Sequence, residues 1–179
     1  MNRKCILFPI LTIALCALLL FVVSYGLSDV RANNIQKEHV WMMQTLLPGS
    51  SQFVREPYTG EDETICSVHR AENGYVIETV TQGYAGEIIM MIGVNNQGTV
   101  TGLVIRDMEE TFGLGERALD DADFLAQFLN TSGDAAVGEN VDAVTGATVT
   151  SKAIARSVNA AVAVVTGVDS TSAATSWGG

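Results

Sequence analysis

The chain has 179 residues, of which 10 are Lys or Arg and 20 are Asp or Glu, so its formal net charge is −10 at pH 7. This acidity argues against nucleic acid as a partner, because phosphate binding needs a basic surface. Hydrophobic residues make up 47% of the chain, and that content argues against intrinsic disorder. Without residues 1–27, which hold two basic and no acidic side chains, 152 residues with a net charge of −12 remain. They are enough for one domain with its own core.

The N-terminal segment is strongly apolar, with no charged side chain between residues 5 and 27. A helix of this length spans about 35 Å, enough to cross a hydrocarbon core of about 30 Å. We therefore expect residues 1–28 to be an uncleaved transmembrane anchor. The alternative is a signal peptide cleaved near residues 30–32 (Val-Arg-Ala), although the apolar part of such peptides is usually only about 7–15 residues. Arg3 and Lys4 precede the span and favour a cytoplasmic N-terminus, with the following domain on the outer face of the cell membrane.

Composition divides the rest of the chain into three parts. Residues 29–50 carry a loose apolar stripe that ends at Pro48-Gly49, which predicts a juxtamembrane helix. Residues 51–167 hold the segments with regular patterns and predict a single domain. Residues 168–179 are rich in Ser, Thr, Ala and Gly, and we expect them to form a flexible tail.

Two β-hairpins are predicted in the first half of this domain. Segments 64–70 and 75–81 flank Asn73-Gly74, and segments 87–94 and 99–106 flank a second turn that ends in Gly98. An Asn-Gly pair is a strong hairpin signal, because both residues accept a positive φ. We expect these four strands to form an antiparallel meander.

Two helices are predicted after the strands. The first covers residues 120–129 with Asp120 or Asp121 as its cap, and the second covers residues 151–165 with Gly167 as its terminator. Strands followed by helices indicate an α+β fold, in which helices pack on an antiparallel sheet.

The cysteines and histidines do not form the pattern of a metal site. None of the three cysteines belongs to a Cys-x-x-Cys pair, and His39 and His69 are 30 residues apart. We expect Cys66 to be a buried thiol in a strand. No Ser-His-Asp arrangement is evident either, so the sequence predicts neither a metal site nor catalytic residues.

The segment that carries chemistry runs from Asp142 to Lys152 and reads DAVTGATVTSK. It places hydroxyl side chains and a glycine immediately before an apolar helix, where backbone N–H groups and the helix dipole favour an anion such as phosphate. Lys152 adds a positive charge. The structural alternative is that Thr148 or Thr150 is an ordinary N-cap of the helix.

Residues 145–151, Thr-Gly-Ala-Thr-Val-Thr-Ser, resemble the flavinylation motif of the FMN-binding domain family. The resemblance implies that FMN is joined through its phosphate to the hydroxyl of Thr150, and that Asp142 is the acidic residue which the family places upstream. It also implies that the phosphate is held by the neighbouring residues of the motif: Thr145, Gly146, Ala147, Thr148, Ser151 and Lys152. No base that could activate a threonine hydroxyl lies in the motif, so we expect attachment to need a separate flavin transferase.

A second stretch resembles the same family. Residues 110–115, Glu-Thr-Phe-Gly-Leu-Gly, are similar to the family's Glu-Thr-Pro-Gly-Leu-Gly, and residues 83–88 and 93–98 match the strand pair that precedes it. Phe112 stands where the family has a proline, which would have fixed φ. The resemblance implies that this loop lines the flavin ring or ribityl chain, through Glu110, Thr111, Gly113, Leu114 and Gly115.

The matching segments follow an anchor helix, as in the membrane-bound members of the family. The resemblance implies an electron-relay subunit of an Rnf-type, ion-translocating ferredoxin:NAD oxidoreductase complex, whose partners are the other subunits and membrane lipid. Ion transport is left to those subunits, since the single span has no ionisable residue. Two alternatives stay open within the resemblance: a stand-alone flavinylated electron-transfer protein, and the C subunit of the Na⁺-pumping NADH:quinone reductase. A third alternative, from another class, is a non-redox binding module on a membrane stalk.

Overall fold

The computed structural model describes residues 3–108 and 121–167. The predicted flavin loop, residues 110–115, and the predicted tail, residues 168–179, lie outside the described residues. The described part holds three helices and five strands. The chain divides into two compact units between Trp41 and Met42.

Helix α1, Arg3–Leu46, is continuous, and the first unit is the part of it up to Trp41. The helix runs through both the predicted anchor and the predicted juxtamembrane segment. Between residues 13 and 23 its large apolar side chains are exposed, from 54% for Val23 to 72% for Leu20. Across residues 3–108 and 121–167, no helix has the length and mean hydropathy that a membrane span requires. The single transmembrane span therefore stays a prediction.

The second unit is built on a five-stranded antiparallel sheet in which each strand pairs with the next one along the chain. The strands are β1 (Val54–Glu56), β2 (Ile65–Arg70), β3 (Gly74–Gln82), β4 (Glu87–Asn95) and β5 (Val100–Met108). The last four confirm the two predicted hairpins. Strand β1 gives no sequence signal, because its three residues are too few to show an alternating pattern.

Two helices follow the sheet, α2 (Ala122–Ala126) and α3 (Thr148–Thr166). Asp121 caps α2 as predicted, since its Oδ1 accepts a hydrogen bond from the backbone N–H of Phe124 at 3.0 Å. The predicted helix over 120–129 is wrong in length, because after Ala126 the backbone N–H groups bond three residues back instead of four. Helix α3 begins three residues before the predicted position 151. It ends as predicted at Gly167, whose φ of +68° is left-handed.

The core lies between α3 and one face of the sheet. Ile77 of β3 and Ile92 of β4 are fully buried in one cluster with Ile154 of α3. Phe124 and Phe128 join this cluster as an edge-to-face pair whose ring centroids are 5.3 Å apart. Each buried side chain of this kind contributes roughly 1.5–3 kcal/mol, so the core fixes the position of α3 on the sheet.

The opposite face of the sheet receives the C-terminal end of α1. Gly93 of β4 and Gly102 of β5 are paired across the two strands, and Leu46 lies against both. The hydroxyl of Thr101 donates to the carbonyl oxygen of Leu46 at 2.5 Å. Because the last carbonyls of a helix have no partner within it, this bond and the two small glycines join the end of α1 to the sheet.

Cys66 is not the buried thiol that the sequence predicts. It lies exposed on strand β2, where the pairing register shifts between Ile65 and Ser67. Neighbouring protein atoms still desolvate part of the thiol and raise its pKa, and the carboxylates of Glu78 and Glu87 raise it further. The thiol is therefore protonated at neutral pH and is a poor nucleophile.

We expect Gly93→Ala to destabilise the second unit. The added Cβ would fall inside the van der Waals radius of the Leu46 carbonyl oxygen, a backbone atom that can move only with the end of α1. The free energy of unfolding should fall by about 1–3 kcal/mol, measured by urea unfolding of the full chain in detergent. Gly102→Ala is the matched control, because its Cβ would lie no closer than 3.2 Å to any atom of Leu46. An equal or larger loss for Gly102→Ala would contradict this account of the contact.

Candidate functional site

The segment between α2 and α3 has little regular structure and is held by side-chain hydrogen bonds. Asn159 of α3, which is 3% exposed, donates to the carbonyl oxygen of Ala135 at 2.9 Å and accepts from the N–H of Ala135 at 3.0 Å. Asn140 closes the next turn, accepting from the N–H of Ala136 at 2.7 Å and donating to the carbonyl oxygen of Asp134 at 2.8 Å. The start of the segment is thus fixed to the core helix.

Gln127, directly after α2, holds the backbone of Asp142 in the same way. Its Oε1 accepts from the N–H of Asp142 at 2.8 Å, and its Nε2 donates to the carbonyl oxygen of Asp142 at 3.4 Å. Both backbone polar groups of Asp142 are therefore engaged, while the residue itself is exposed. Asp142 opens the motif loop, by which we mean residues 142–147.

The motif loop ends at the first turn of α3, where Ser151 braces it. Ser151 is fully buried, and its hydroxyl donates to the carbonyl oxygen of Ala147 at 2.9 Å and accepts from the N–H of Val144 at 3.2 Å. The N–H of Ala147 also donates to the carbonyl oxygen of Val144, at 2.9 Å. Both hydrogen-bonding roles of the Ser151 hydroxyl are thus used by the backbone, and this residue shapes the loop.

The N-cap of α3 is Ala147, which has no side-chain oxygen to cap the helix. The structural alternative of the sequence, with Thr148 or Thr150 as the N-cap, is therefore wrong. A helix start without a side-chain cap presents the N–H groups of its first turn and the positive end of its dipole to an anion. The geometry at this helix end suits a phosphate group.

The exposed residues of the motif surround this helix start. Thr145, Gly146 and Thr148 are exposed, and so is the cationic Lys152 on the helix. Gly146 adopts a φ of +82°, a conformation that costs a residue with a side chain roughly 1–2 kcal/mol. The glycine of the motif is therefore required by the turn that leads into α3.

Thr150, the predicted attachment residue, is only 1% exposed. Because α3 begins at Thr148, Thr150 lies four and eight residues before Ile154 and Val158, on the same stripe of the helix. Both of those residues are fully buried in the core. A helix that began at residue 151, as the sequence predicts, would not include Thr150 in this stripe, so its burial is a finding of the structure.

The structure brings Asp142 and residues 145–152 together in one loop and helix turn. The other predicted site residues, Glu110, Thr111, Gly113, Leu114 and Gly115, lie outside the described residues. Two residues that hold the site are absent from the sequence prediction. Asn159 does give a signal, since it is a polar residue within the apolar run of a helix. Gln127 gives none, because a glutamine in an amphipathic segment is typical of a solvated surface.

Comparison with known proteins finds relatives over the range that contains this site. The model of the FMN-binding domain family matches residues 83–163. The chain is 29% identical to the G subunit of the Na⁺-translocating ferredoxin:NAD⁺ oxidoreductase complex of Acetobacterium woodii over 186 residues, which cover 89% of this chain and 88% of the relative. It is 37% identical to the G subunit of the proton-translocating ferredoxin:NAD⁺ oxidoreductase complex of Clostridium ljungdahlii over 51% of this chain and 53% of the relative.

A third relative, the G subunit of the ion-translocating oxidoreductase complex of Escherichia coli O157:H7, is 36% identical over 64% of this chain and 63% of its own length. The last two alignments thus span less than two thirds of the relatives, whereas the first spans most of both chains. Over residues 83–163 the chain is thus similar to the FMN-binding domain family, and over most of its length it is similar to a G subunit of an ion-translocating ferredoxin:NAD⁺ oxidoreductase complex.

Proposed function

We propose that this protein is an electron-relay subunit of a membrane-bound, ion-translocating ferredoxin:NAD oxidoreductase complex, and that it carries FMN esterified to Thr150. The observation that carries the proposal is the position of Thr150 in the first turn of α3. This helix start has no side-chain cap and lies inside the range that matches the FMN-binding domain. Similarity to the Acetobacterium woodii relative over 89% of the chain supports the proposal that this protein is a subunit of such a complex.

When bound, FMN supplies the redox chemistry that links two-electron donors to one-electron carriers. The residues of this chain bind and orient it. Thr145 and Thr148 offer exposed hydroxyl groups to the phosphate, and Lys152 offers an exposed positive charge. The turn at Gly146 brings the backbone close to the same helix end. These groups fit a phosphate monoester better than any neutral ligand.

The acidity of the domain favours covalent attachment over simple binding. Beyond residue 27 the chain has a net charge of −12, and such a field disfavours a free phosphate dianion. Esterification lowers the charge on the phosphate from about −2 to about −1. The oxygen of Thr150 forms a bond to phosphorus and gives up its proton to a base of the transferase. Phosphorus gives up its bond to the leaving group of an activated flavin nucleotide.

The burial of Thr150 sets a condition on this reaction. A hydroxyl on a residue that is 1% exposed cannot enter the active site of a second enzyme. The transferase must therefore act on a form in which the first turn of α3 is uncovered, during folding or through local opening.

We also propose that α1 anchors the protein in the cell membrane, with a cytoplasmic N-terminus and the flavin domain on the outer face. The exposed apolar side chains between residues 13 and 23 support this proposal, because a helix that is apolar on all sides requires apolar surroundings. Arg3 and Lys4 before this stretch favour the orientation. Membrane lipid and other subunits of the complex are the proposed surroundings.

Thr150→Val is expected to abolish flavin attachment at a cost in stability of about 1 kcal/mol. Valine has nearly the shape of threonine and lacks only the hydroxyl. The full chain is produced in a host with an active flavin transferase, and its intact mass and in-gel flavin fluorescence are measured. The wild-type chain should gain the mass of FMN less one water, and the variant should gain nothing.

Thr148→Val is the matched control for this variant. It removes an exposed hydroxyl two residues earlier, which is proposed to contact the phosphate without forming the ester, so it should slow attachment but leave the final mass gain intact. Peptide mapping then locates the flavin. A flavin on Thr145 or Thr148, or an unmodified wild-type chain, would overturn the attachment at Thr150. An unmodified chain would favour the non-redox binding module instead.

Gly146→Ala and Gly138→Ala form a second matched pair. Both glycines have a positive φ, +82° and +92°, so alanine should lower the free energy of unfolding by roughly 1–2 kcal/mol at either position. Only Gly146 lies in the motif loop, and only Gly146→Ala should slow flavin attachment, by about tenfold or more. Time courses with purified transferase, at a temperature where both variants are folded, measure the rates. Equal slowing in the two variants would show that attachment follows stability and not the turn.

A further inference from the structure

The shape of the motif loop is controlled at one end by a side chain that lies outside the motif. We propose that Gln127 is a positioning residue for flavin attachment, which acts by holding the backbone of Asp142. This inference rests on the proposed function, because it concerns the same site. It adds a residue that neither the motif nor the similarity to G subunits singles out.

The pair of hydrogen bonds between Gln127 and Asp142, here called the clamp, is a tertiary contact, since the two residues are 15 positions apart in the chain. One side-chain amide engages both polar groups of one residue: it accepts from the Asp142 N–H at 2.8 Å and donates to the Asp142 carbonyl oxygen at 3.4 Å. Paired bonds of this kind fix orientation as well as distance. Asp142 can therefore neither rotate nor translate without breaking at least one of them.

Gln127 can serve as a fixed reference because its own backbone is anchored on both sides. Phe124 is 2% exposed and Phe128 is fully buried, and the two rings contact each other edge to face. The N–H of Gln127 donates to the carbonyl oxygen of Phe124 at 3.2 Å. The side chain of Gln127 thus extends from a turn that is packed in the hydrophobic core. Its hydrogen bonds hold Asp142 at a fixed position relative to that turn.

The other end of the motif loop is held separately, by Ser151 of α3. The hydroxyl of Ser151 contacts Val144 and Ala147 at 3.2 and 2.9 Å. Hydrogen bonds therefore hold the loop at both ends, from the turn after α2 and from the first turn of α3. Without the Gln127 amide, the backbone of Asp142 loses both hydrogen bonds of the clamp, and the loop stays tied to the buried Val141 at one end and to Ser151 of α3 at the other. Helix α3 is the element that must open to expose Thr150. The Gln127 clamp involves no residue of α3, so it can keep the loop in place while that turn opens.

A displaced loop lowers the rate of a reaction more than it lowers the stability of a fold. An error of about 1 Å in the placement of reacting groups can cost about a hundredfold in rate. Asp142 is exposed, and its carboxylate is the charged group closest in sequence before Thr145, the exposed threonine of the loop. The position of this charge relative to the incoming phosphate donor depends on the clamp.

The test compares Gln127→Met, Gln127→Glu and Asn159→Ala in the full chain in detergent. Methionine keeps the length of the side chain and loses both hydrogen bonds. Glutamate keeps an oxygen that can accept from the Asp142 N–H. Asn159→Ala is the matched control, because Asn159 makes the same paired contact on Ala135, upstream of the motif loop. The kcat and KM of the flavin transferase for each chain, and each melting temperature, are measured.

We expect Gln127→Met to lower kcat by about tenfold to a hundredfold, and Gln127→Glu to recover part of this loss. Asn159→Ala should lower the melting temperature more than Gln127→Met does and should change kcat by less than about twofold while the chain is folded. A merely structural role for Gln127 predicts the opposite order, with kcat following the melting temperature. That order, or a Gln127→Met chain that takes flavin at the wild-type rate, would overturn the inference while the proposed function stands.

Hydrogen exchange of the flavin-free chain provides a second readout. Gln127→Met should speed exchange of the Asp142 amide by at least about tenfold, because its acceptor is lost, and should leave the Ala135 amide unchanged. Asn159→Ala should have the reverse effect. Unchanged exchange at Asp142 in Gln127→Met would overturn the clamp itself. A wild-type chain that takes no flavin at Thr150 would overturn the proposed function, and this inference with it.

Discussion

The packing of α3 against the sheet decides where the candidate chemistry lies. Ile154 and Val158 are fully buried in the core, and the period of the helix then brings Thr150 onto the same stripe. The neighbouring Val149 is 47% exposed, whereas Thr150 is 1% exposed. A rotation of the helix that moved Thr150 to the position of Val149 would expose it and would also break the hydrogen bond between Val144 and Ser151. The hydrophobic core, and not the loop, therefore selects which hydroxyl of the motif faces inward.

The motif loop in turn depends on side chains and not on secondary structure. Asn159, Gln127 and Ser151 each engage backbone polar groups of the segment between α2 and α3. Asn159 and Ser151 are buried, so their hydrogen bonds lie away from competing water and an unpaired partner would be costly. The clamps satisfy backbone groups that a helix or strand would otherwise pair. An irregular segment can therefore hold one defined shape beside a site that must be both specific and open.

The parts of the fold that the sequence predicts are those with local causes. The Asp121 cap and the Gly167 terminator act within a few residues of the chain, and each predicted hairpin joins two neighbouring segments. Helix α3 starts earlier than predicted, because packing of Thr150 against the core overrides the weak helix propensity of a Thr-Val-Thr sequence. The prediction of a buried Cys66 is wrong, and the pairing register shifts between its two neighbours, Ile65 and Ser67. The partners of Gln127 and Asn159 are 15 and 24 residues distant, beyond the reach of any local pattern.

Burial and charge together favour the proposed covalent attachment at this position. An acidic domain binds a free phosphate dianion weakly, and a cofactor that dissociates on the outer face of a membrane is lost by dilution. An ester replaces this equilibrium with a bond whose lifetime depends on access of water. The register of α3 buries Thr150, the residue that carries the proposed bonding oxygen. With this register, attachment is slow unless the first turn of α3 opens. The motif loop must then keep its shape while that turn is open. A loop anchored from the turn after α2, independently of α3, meets that requirement.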